Sequence, residues 1–338
     1  MAPTVSIIVP CYNEQATICG LLAAVCAQTY PREQMEVVVA DGMSSDGTRA
    51  AIAEFGRLHP DLDLVVVDNP RQIIPAALNR ALERARGEVI VRLDAHSKPY
   101  PDYVARCVED LEEGLGANVG GIWEIHPGAQ TWMAASIAAA AAHPLGVGDA
   151  LYRHASRAAA VDTVPFGAYK RELLALTGFF DENLLTNEDY EFNVRVRRSG
   201  GTVWLDPAIR SVYLARPTLA GLARQYARYG YWKWQMLRRY PGTVRWRQAL
   251  PPLFVASLVV AGALAVFLPV FHLLLAAEVA VYLSVLLAAG VGSALRSRVA
   301  YLVVGLPLAI LTMHLLWGAG FLWSMIKGLL TPGAVKRT

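Results

Sequence analysis

Asp94 and His96 lie directly after a short β-branched segment, and their side chains are of types that bind metal ions. Residues 89–93 predict a buried strand, and ligands of open α/β sheets bind at the ends of such strands. A carboxylate and an imidazole two positions apart suit a shared Mn²⁺ or Mg²⁺ ion that also contacts a diphosphate. Two ligands do not specify a metal, however, and the same spacing fits a strand-end turn in which Asp94 caps and His96 is solvated.

Glu188 and Asp189 form a second acidic site, at the start of a predicted helix that runs to Arg198. The helix dipole favours charged carboxylates at this end. A general base at a helix start would be rigidly aimed at a substrate. Taken alone, the pair is better explained by the ordinary enrichment of acidic residues in a first helical turn.

An alternation of strands and helices would position these side chains, with strands at residues 5–9, 36–40, 64–67 and 89–93. The pattern predicts a parallel sheet with right-handed crossovers, an architecture typical of nucleotide-binding domains. Glu14, Asp41 and Asp94 follow three of the strands, where they would suit hydrogen bonds to a base and a ribose, together with a metal for the phosphates. Each of the three could equally cap a helix or a turn.

Several functional classes are disfavoured by the sequence. The turn from Pro10 to Glu14 lacks the glycine spacing that a dinucleotide needs, which argues against nicotinamide chemistry. The net charge of +3 is too mild for nucleic-acid binding, and the basic residues form no single stripe. The four cysteines show no C-x-x-C spacing, which is typical of reduced thiols in the cytosol, and residues 1–14 lack the features of a signal peptide.

The hydrophobic content of 54% conceals a division of the chain into a globular part and a membrane part. Between residues 250 and 326 the only charged residues are Glu278, Arg296 and Arg298. We predict three membrane helices near residues 252–268, 271–290 and 299–325. Basic residues before the first helix and between the second and third favour a cytoplasmic side for both flanks, which places Lys336 and Arg337 on the opposite side.

Residues 218–240 interleave aromatic and apolar residues with arginine and lysine. A helix of this composition lies well at a membrane surface, where each basic residue gains roughly 1 kcal/mol from anionic lipid. Packing on the globular domain is the alternative. Because the apolar region begins directly afterwards, we favour the membrane surface.

The order of these features over residues 4–230 resembles the inverting family 2 glycosyltransferases of the GT-A fold, in particular the membrane-bound type that builds succinoglycan-like exopolysaccharides. Two positions depart from the family pattern. His96 replaces the second Asp of D-x-D, and Tyr229 replaces the Trp of Q-x-x-R-W, a motif typical of processive synthases. The segments that carry the resemblance are Ile7 to Glu14 (opening strand and turn), Asp41 to Thr48 (acidic nucleotide-binding loop), Asn79 with Gly87 (before the metal motif), Asp94-Ala95-His96 (D-x-D), Asn187-Glu188-Asp189 (catalytic base) and Gln225 to Tyr229 (Q-x-x-R-W).

The resemblance implies an α/β chain with a GT-A catalytic domain and mostly parallel sheet over residues 1–217, amphipathic interfacial helices over 218–249 and a transmembrane region over 250–338. It implies inverting transfer of a sugar from a nucleotide diphosphate sugar, expected to be a UDP-sugar, for exopolysaccharide or related glycan synthesis. Because three membrane helices are too few for a polysaccharide channel within one chain, we expect the acceptor to be a polyprenyl-diphosphate-linked saccharide at the cytoplasmic face of the membrane. The alternatives are a polyprenyl phosphate sugar synthase and a catalytically idle membrane scaffold that binds nucleotide sugar.

The resemblance also assigns roles to individual residues. Asp189, the base, and Glu188 are the expected catalytic residues, and Asp94 with His96 is expected to hold Mn²⁺ or Mg²⁺. The expected partners are the nucleotide sugar, a lipid-linked acceptor and membrane lipids, without nucleic acid. The expected location is the inner (plasma) membrane, with several passes and a cytoplasmic catalytic domain. The expected nucleotide-sugar-binding residues are Pro10, Tyr12, Glu14, Asp41, Asn79, Asp94, Arg216, Gln225 and Arg228.

Overall fold

The structure is a computed structural model that describes residues 2–330, and these divide into two compact units. The first unit comprises the residues up to Glu124 together with His154–Tyr213, and the second comprises Ile125–Arg153 and the chain from Leu214 onward. Lys336 and Arg337, for which the sequence predicts a side of the membrane, lie outside the described residues.

A nine-stranded mixed sheet organises the first unit, in the order β3-β2-β1-β4-β8-β6-β9-β5, with β7 paired to β9. The strands are β1 (Val5–Cys11), β2 (Met35–Asp41), β3 (Asp63–Asp68), β4 (Val89–Arg92), β5 (Lys98–Pro99), β6 (Asn118–His126), β7 (Ala159–Ala160), β8 (Ala168–Lys170) and β9 (Val203–Leu214).

The first four strands are parallel, as the alternation of strands and helices predicts. Every residue of β1, β2 and β4 is buried, because helices cover both faces of a parallel sheet and apolar side chains are therefore needed on both. Cys11 pairs with Asp41 and Ile8 with Arg92, so the carboxyl ends of β1, β2 and β4 meet at one edge. Glu14, Asp41 and Asp94 follow those ends.

The pairs β4–β8, β6–β8, β5–β9 and β7–β9 are antiparallel. The antiparallel half of the sheet adjoins the parallel half at β4, where Ile90 pairs with Tyr169 of β8. The helices of this unit are α1 (Ile18–Cys26), α2 (Thr48–Leu58), α3 (Ile74–Arg84), α4 (Tyr103–Glu112), α7 (Leu173–Thr177) and α8 (Glu188–Arg198). The chain returns from the second unit at His154, just before β7 and β8, and α8 follows. The antiparallel half therefore brings the start of α8 to the central strand β4.

The second unit is helical, and three of its helices are long and apolar enough to cross a membrane: α10 (Trp246–Ala265), α11 (Val270–Ser297) and α12 (Leu302–Leu330). The break between α10 and α11 falls at residues 266–269, close to the predicted boundary between the first two membrane helices at residues 268–271. The other helices of this unit are α5 (Trp132–Ala142), α6 (Pro144–Val147) and α9 (Leu219–Arg239).

Helix α9 packs along α12 within the second unit. Its buried residues, Leu222, Tyr226, Gly230, Lys233 and Met236, recur every three or four positions and therefore share one face. The backbones come very close: a Cβ built on Gly230 would lie 2.1 Å from the Trp317 carbonyl oxygen, and one on Gly320 would lie 2.2 Å from that of Ala227. Glycine at both positions is therefore what permits this crossing.

Gly320→Ala should destabilise the second unit, because the new methyl group would overlap the Ala227 carbonyl oxygen and force the two helices apart. We expect a loss of about 1–3 kcal/mol, measured as a lower melting temperature of the purified protein in detergent. Gly262→Ala on α10 is the matched control, since a Cβ there has no atom within 4 Å. Equal melting temperatures for the two variants would contradict the close crossing.

Candidate functional site

Arg92, the last residue of β4, lies at the centre of the acidic residues predicted to form the site. It is only 3% exposed. Its Nη2 is 3.1 Å from Asp94 Oδ1 and 3.0 Å from Glu188 Oε1, and its Nη1 contacts Asp189 Oδ1. The structure thus brings together the D-x-D position and the base motif, which are separated by more than 90 residues in the chain.

The turn before α8 directs its two acidic side chains toward β4. Asn187 precedes the helix with a left-handed φ of 70°, a conformation that asparagine tolerates better than most residues. Glu188 and Asp189 are then the first two helical residues, and both side chains bind the guanidinium. The first-turn acids are therefore not a surface feature of α8.

Asp189 has the electrostatic properties of a base that works near neutral pH. Burial raises the pKa of its carboxyl group to about 7, the neighbouring Glu188 and Asp94 carboxylates add to the rise, and Arg92 opposes it. The side chain still keeps 26% of its surface exposed. Arg92 occupies Oδ1, and among the described residues none donates a hydrogen bond to Oδ2. Oδ2 is therefore the oxygen able to accept a proton from outside.

The charges around Arg92 do not balance, because one guanidinium faces the carboxylates of Asp94, Glu188 and Asp189. At a buried position such an excess of negative charge favours a cation. A carboxylate and an imidazole, Asp94 and His96, are donors that Mn²⁺ accepts. Within residues 2–330, no three or more His, Cys, Asp or Glu side chains are arranged so that they could hold a metal ion by themselves, so an ion here would take its other ligands from substrate and water. The donor set fits a metal shared with a diphosphate.

His96 and Glu14 are brought together at the carboxyl edge of the sheet, with His96 Nδ1 3.0 Å from Glu14 Oε1. Burial would raise the pKa of Glu14, but the hydrogen bonds with His96 and Thr17 outweigh it and hold that pKa below its ordinary value. Glu14 is therefore a carboxylate at neutral pH, and it fixes the orientation of the imidazole.

Asp41 is fully buried, and both of its carboxylate oxygens have partners inside its own loop. Oδ1 accepts from Ser44 Oγ at 2.5 Å, and Oδ2 accepts from the Ser44 N–H at 3.0 Å and from Arg49 Nε at 2.5 Å. These bonds outweigh burial and lower the pKa of Asp41. Arg49 in turn reaches Asp68. The observed role of Asp41 is to shape the loop that follows β2, and its contact with a nucleotide remains a prediction.

The loops after β1 and β2 are bonded to each other. The Asn13 N–H donates to Ser44 Oγ at 2.8 Å, and the Ser45 N–H donates to Asn13 Oδ1 at 2.9 Å. Tyr12 is 48% exposed, and its ring lies against the position where a Cβ on Gly42 would be, 3.0 Å from Tyr12 Cδ2. Pro10 is buried within β1. The carboxyl edge of the sheet therefore presents the exposed ring of Tyr12 beside the loop that contains the buried Asp41.

Asn79 does not face the sheet edge but binds the segment that leads to α8. Its Nδ2 donates to the Phe180 carbonyl oxygen at 3.0 Å and to Glu182 Oε1 at 2.9 Å, and its Oδ1 accepts from the Phe180 N–H at 2.9 Å. Asn79 therefore fixes the backbone at Phe180, eight residues before Glu188. These contacts are all within the protein, and the role of Asn79 in nucleotide-sugar binding stays a prediction.

Arg216, Gln225 and Arg228 belong to the second unit. Gln225 Nε2 donates to the Tyr229 hydroxyl group at 2.9 Å, so the residue that replaces the motif tryptophan is bonded to the motif glutamine. Arg216 and Arg228 are exposed. Their roles toward a nucleotide sugar remain predictions.

Arg92 is the central residue that our sequence reasoning missed. The signal was present, since an arginine interrupts the apolar run Val89-Ile90-Val91-Arg92-Leu93 in a strand predicted to be buried. A charged residue in such a run needs a partner of opposite charge. The sequence did not reveal that two of the acidic partners, Glu188 and Asp189, lie on α8.

Comparison with known proteins identifies the family of this chain. Residues 6–176 match the family model described as "Glycosyl transferase family 2". A succinoglycan biosynthesis protein of Rhizobium meliloti is 30% identical over 93% of this chain and 93% of its own. A dolichyl N-acetyl-alpha-D-glucosaminyl phosphate 3-beta-D-2,3-diacetamido-2,3-dideoxy-beta-D-glucuronosyltransferase of Methanococcus voltae is 26% identical over 96% of this chain and 98% of its own.

A solved mannosyltransferase of Pyrobaculum calidifontis, in complex with GDP-Man and Mn²⁺, superposes with a TM-score of 0.63 and 24% identity, covering 97% of this chain and 88% of that one. At this identity the likeness concerns the fold alone. It confirms the predicted GT-A-type fold.

Asn79→Leu should destabilise the first unit, because it leaves the Phe180 N–H and carbonyl group buried without a partner. We expect a loss of about 1–3 kcal/mol in unfolding free energy, seen as a lower melting temperature, and faster proteolysis in residues 180–187. Asn183→Leu is the control, since Asn183 is exposed and its side chain donates to the nearby Asp181. Unchanged proteolysis in Asn79→Leu would show that Asn79 does not fix this segment.

Proposed function

Because the chain belongs to glycosyltransferase family 2 and is therefore a transferase, we propose that it moves a sugar, with inversion, from a nucleotide diphosphate sugar to a polyprenyl-diphosphate-linked saccharide at the cytoplasmic face of the membrane. The observation that carries the proposal is the cluster around Arg92, in which Asp189 of the base motif and Asp94 of the D-x-D position share one guanidinium. A base and a diphosphate site must lie this close for an in-line displacement.

Asp189 is the general base of the proposed reaction. The acceptor hydroxyl group gives its proton to Asp189 Oδ2 while its oxygen forms a bond to the anomeric carbon, from the face opposite the diphosphate. The bond from the anomeric carbon to the diphosphate oxygen breaks, and its electron pair leaves with the nucleoside diphosphate. Glu188 takes part through Arg92, which it contacts at 3.0 Å.

The edge formed by the carboxyl ends of β1, β2 and β4 is the proposed donor site. Tyr12, Glu14 and Asp41 surround the base and ribose, and Asp94 with His96 would hold Mn²⁺ or Mg²⁺. That cation would offset the negative charge that develops on the leaving diphosphate. His96 is held for this role by its hydrogen bond with Glu14.

A lipid-linked acceptor is proposed because the protein has helices suited to a membrane and relatives named for lipid-linked or polysaccharide products. Three helices of the second unit are suited to crossing a membrane, and the Methanococcus relative is named for a dolichyl-linked sugar phosphate. The Rhizobium relative is named for succinoglycan biosynthesis. Basic residues from Arg224 to Arg245 precede the first apolar helix, and Arg247 lies in its first turn. This distribution favours a cytoplasmic catalytic domain in the inner membrane.

The direct test is transfer of radiolabel from a panel of UDP- and GDP-sugars into the butanol-extractable lipid fraction of membranes that contain the protein. We expect one donor, a UDP-sugar, to label a lipid-linked saccharide, and EDTA to abolish the label until Mn²⁺ or Mg²⁺ is restored. Label in a polyprenyl monophosphate sugar would instead identify a polyprenyl phosphate sugar synthase. Nucleotide binding without label from any donor would identify an idle scaffold.

Asp189→Asn should lower turnover by about 10²–10⁴-fold, since the amide cannot accept the hydroxyl proton. Donor binding, measured by titration with the nucleotide sugar, should stay close to that of the unchanged protein. Asp102→Asn serves as the control, because Asp102 pairs with Arg106 on the surface of α4. Turnover in Asp189→Asn equal to that of the control would remove Asp189 from the role of base.

The rate of transfer at low substrate concentrations, kcat/KM, should depend on pH through Asp189. Only the carboxylate form accepts a proton, so kcat/KM should rise with pH through about 7 and level off above it. The residual activity of Asp189→Asn should lack this rise. A rise centred near pH 4, as for an ordinary aspartate, would show that burial does not perturb the base.

A further inference from the structure

The backbone of Arg92 is hydrogen-bonded within the centre of the sheet. Its N–H donates to the Gly167 carbonyl oxygen at 3.1 Å, and the next N–H, of Leu93, donates to the Ile8 carbonyl oxygen at 3.1 Å. The backbone at this point is therefore bonded on both sides of the central strand. A guanidinium that starts from such a backbone has a defined position.

The guanidinium uses its two terminal nitrogens on two different chain segments. Nη1 contacts Asp189, and Nη2 is divided between Glu188 on the same helix and Asp94 beyond β4. Without the guanidinium of Arg92, the three carboxylates at this spacing would repel one another and separate. Arg92 is thus what keeps the base motif and the D-x-D position together.

The cluster is not arranged for stability. Arg92 Nε is buried without a hydrogen-bond partner among the described residues, a defect that lowers the stability of a fold. Buried ion clusters generally stabilise a fold no better than apolar side chains of the same volume. The value of an arginine at this place is therefore geometric, since its planar fork can hold two carboxylates at a set separation.

We propose that Arg92 is a positioning residue for sugar transfer, which sets the distance between the Asp189 carboxylate and the diphosphate of the donor. The inference rests on the proposed function. Arg92 acts through Asp189 and Asp94 and touches neither substrate. Lysine keeps the charge, but its three donors share one nitrogen, so it cannot hold Asp189 and Asp94 at the separation that the two terminal nitrogens of the guanidinium set.

The test measures the steady-state rate of sugar transfer by Arg92→Lys, Arg92→Ala and the unchanged protein. The substrate is the nucleotide sugar that the radiolabel panel selects. Arg92→Lys should lower kcat about 10²-fold, the cost of a small misplacement of a reacting group, while the KM for the donor changes by less than about threefold. Added guanidinium chloride should restore part of the turnover of Arg92→Ala, because the ion can refill the site. Guanidinium rescue is not expected of a residue that only supports the fold.

Arg171→Lys is the matched control. Arg171 binds the opposite end of the same strand, where its Nε donates to the Gly87 carbonyl oxygen at 2.8 Å. This variant should keep its kcat. Turnover of Arg92→Lys equal to that of Arg171→Lys, or failure of guanidinium to raise the turnover of Arg92→Ala, would overturn the positioning role.

A second measurement separates this inference from the proposed function. Removal of a cation beside Asp94 makes the metal site more negative, so Arg92→Ala should bind Mn²⁺ more tightly than the unchanged protein in an electron paramagnetic resonance titration. Absence of transfer from any donor by the unchanged protein would end the proposed function, whereas tighter Mn²⁺ binding by Arg92→Ala would still link Arg92 to the Asp94 site. Mn²⁺ binding that is equal in Arg92→Ala and Arg171→Ala would overturn that link.

Discussion

The burial of one guanidinium among three carboxylates is the constraint on which the first unit depends. Arg92 is 3% exposed, so its charge must be compensated by the protein itself. The compensation comes from Asp94, directly beyond the same strand, and from the first turn of α8. A parallel sheet alone would not deliver that helix to β4. The antiparallel strand β8 pairs with β4 and precedes α8 in the chain, which makes the second half of the sheet a means of bringing the acids to the arginine.

The parallel half of the fold could be predicted from the sequence because each of its strands is a compact apolar run. Residues 5–9, 36–40 and 89–93 are buried on both faces, and such runs are visible without any knowledge of neighbours. The antiparallel half was less visible. Strand β8 has three residues and pairs with strands that lie some fifty to eighty positions earlier, so its place depends on partners rather than on its own pattern.

The same difference applies to the site. Asp94, His96, Glu188 and Asp189 were selected by residue type and motif order, and the structure places three of them around one arginine. The role of Arg92 and the clamp of Asn79 on Phe180 were not accessible, because both depend on contacts across about a hundred residues of chain. Side-chain chemistry is local information, whereas the choice of partner is decided by the complete sheet. Two interactions of this kind connect β4 to α8, and two connect α3 to the segment that precedes α8.

The bonded loops after β1 and β2 have a consequence for protein engineering. Asn13 both donates to Ser44 and accepts from Ser45, and Tyr12 rests where a side chain on Gly42 would have to lie. Neither loop can therefore be replaced alone without loss of the other's shape. Under the proposed function, a change of nucleotide preference by loop exchange therefore requires that both loops be transplanted as a matched pair from one source protein. Libraries that randomise a single loop would consist largely of misshapen sites.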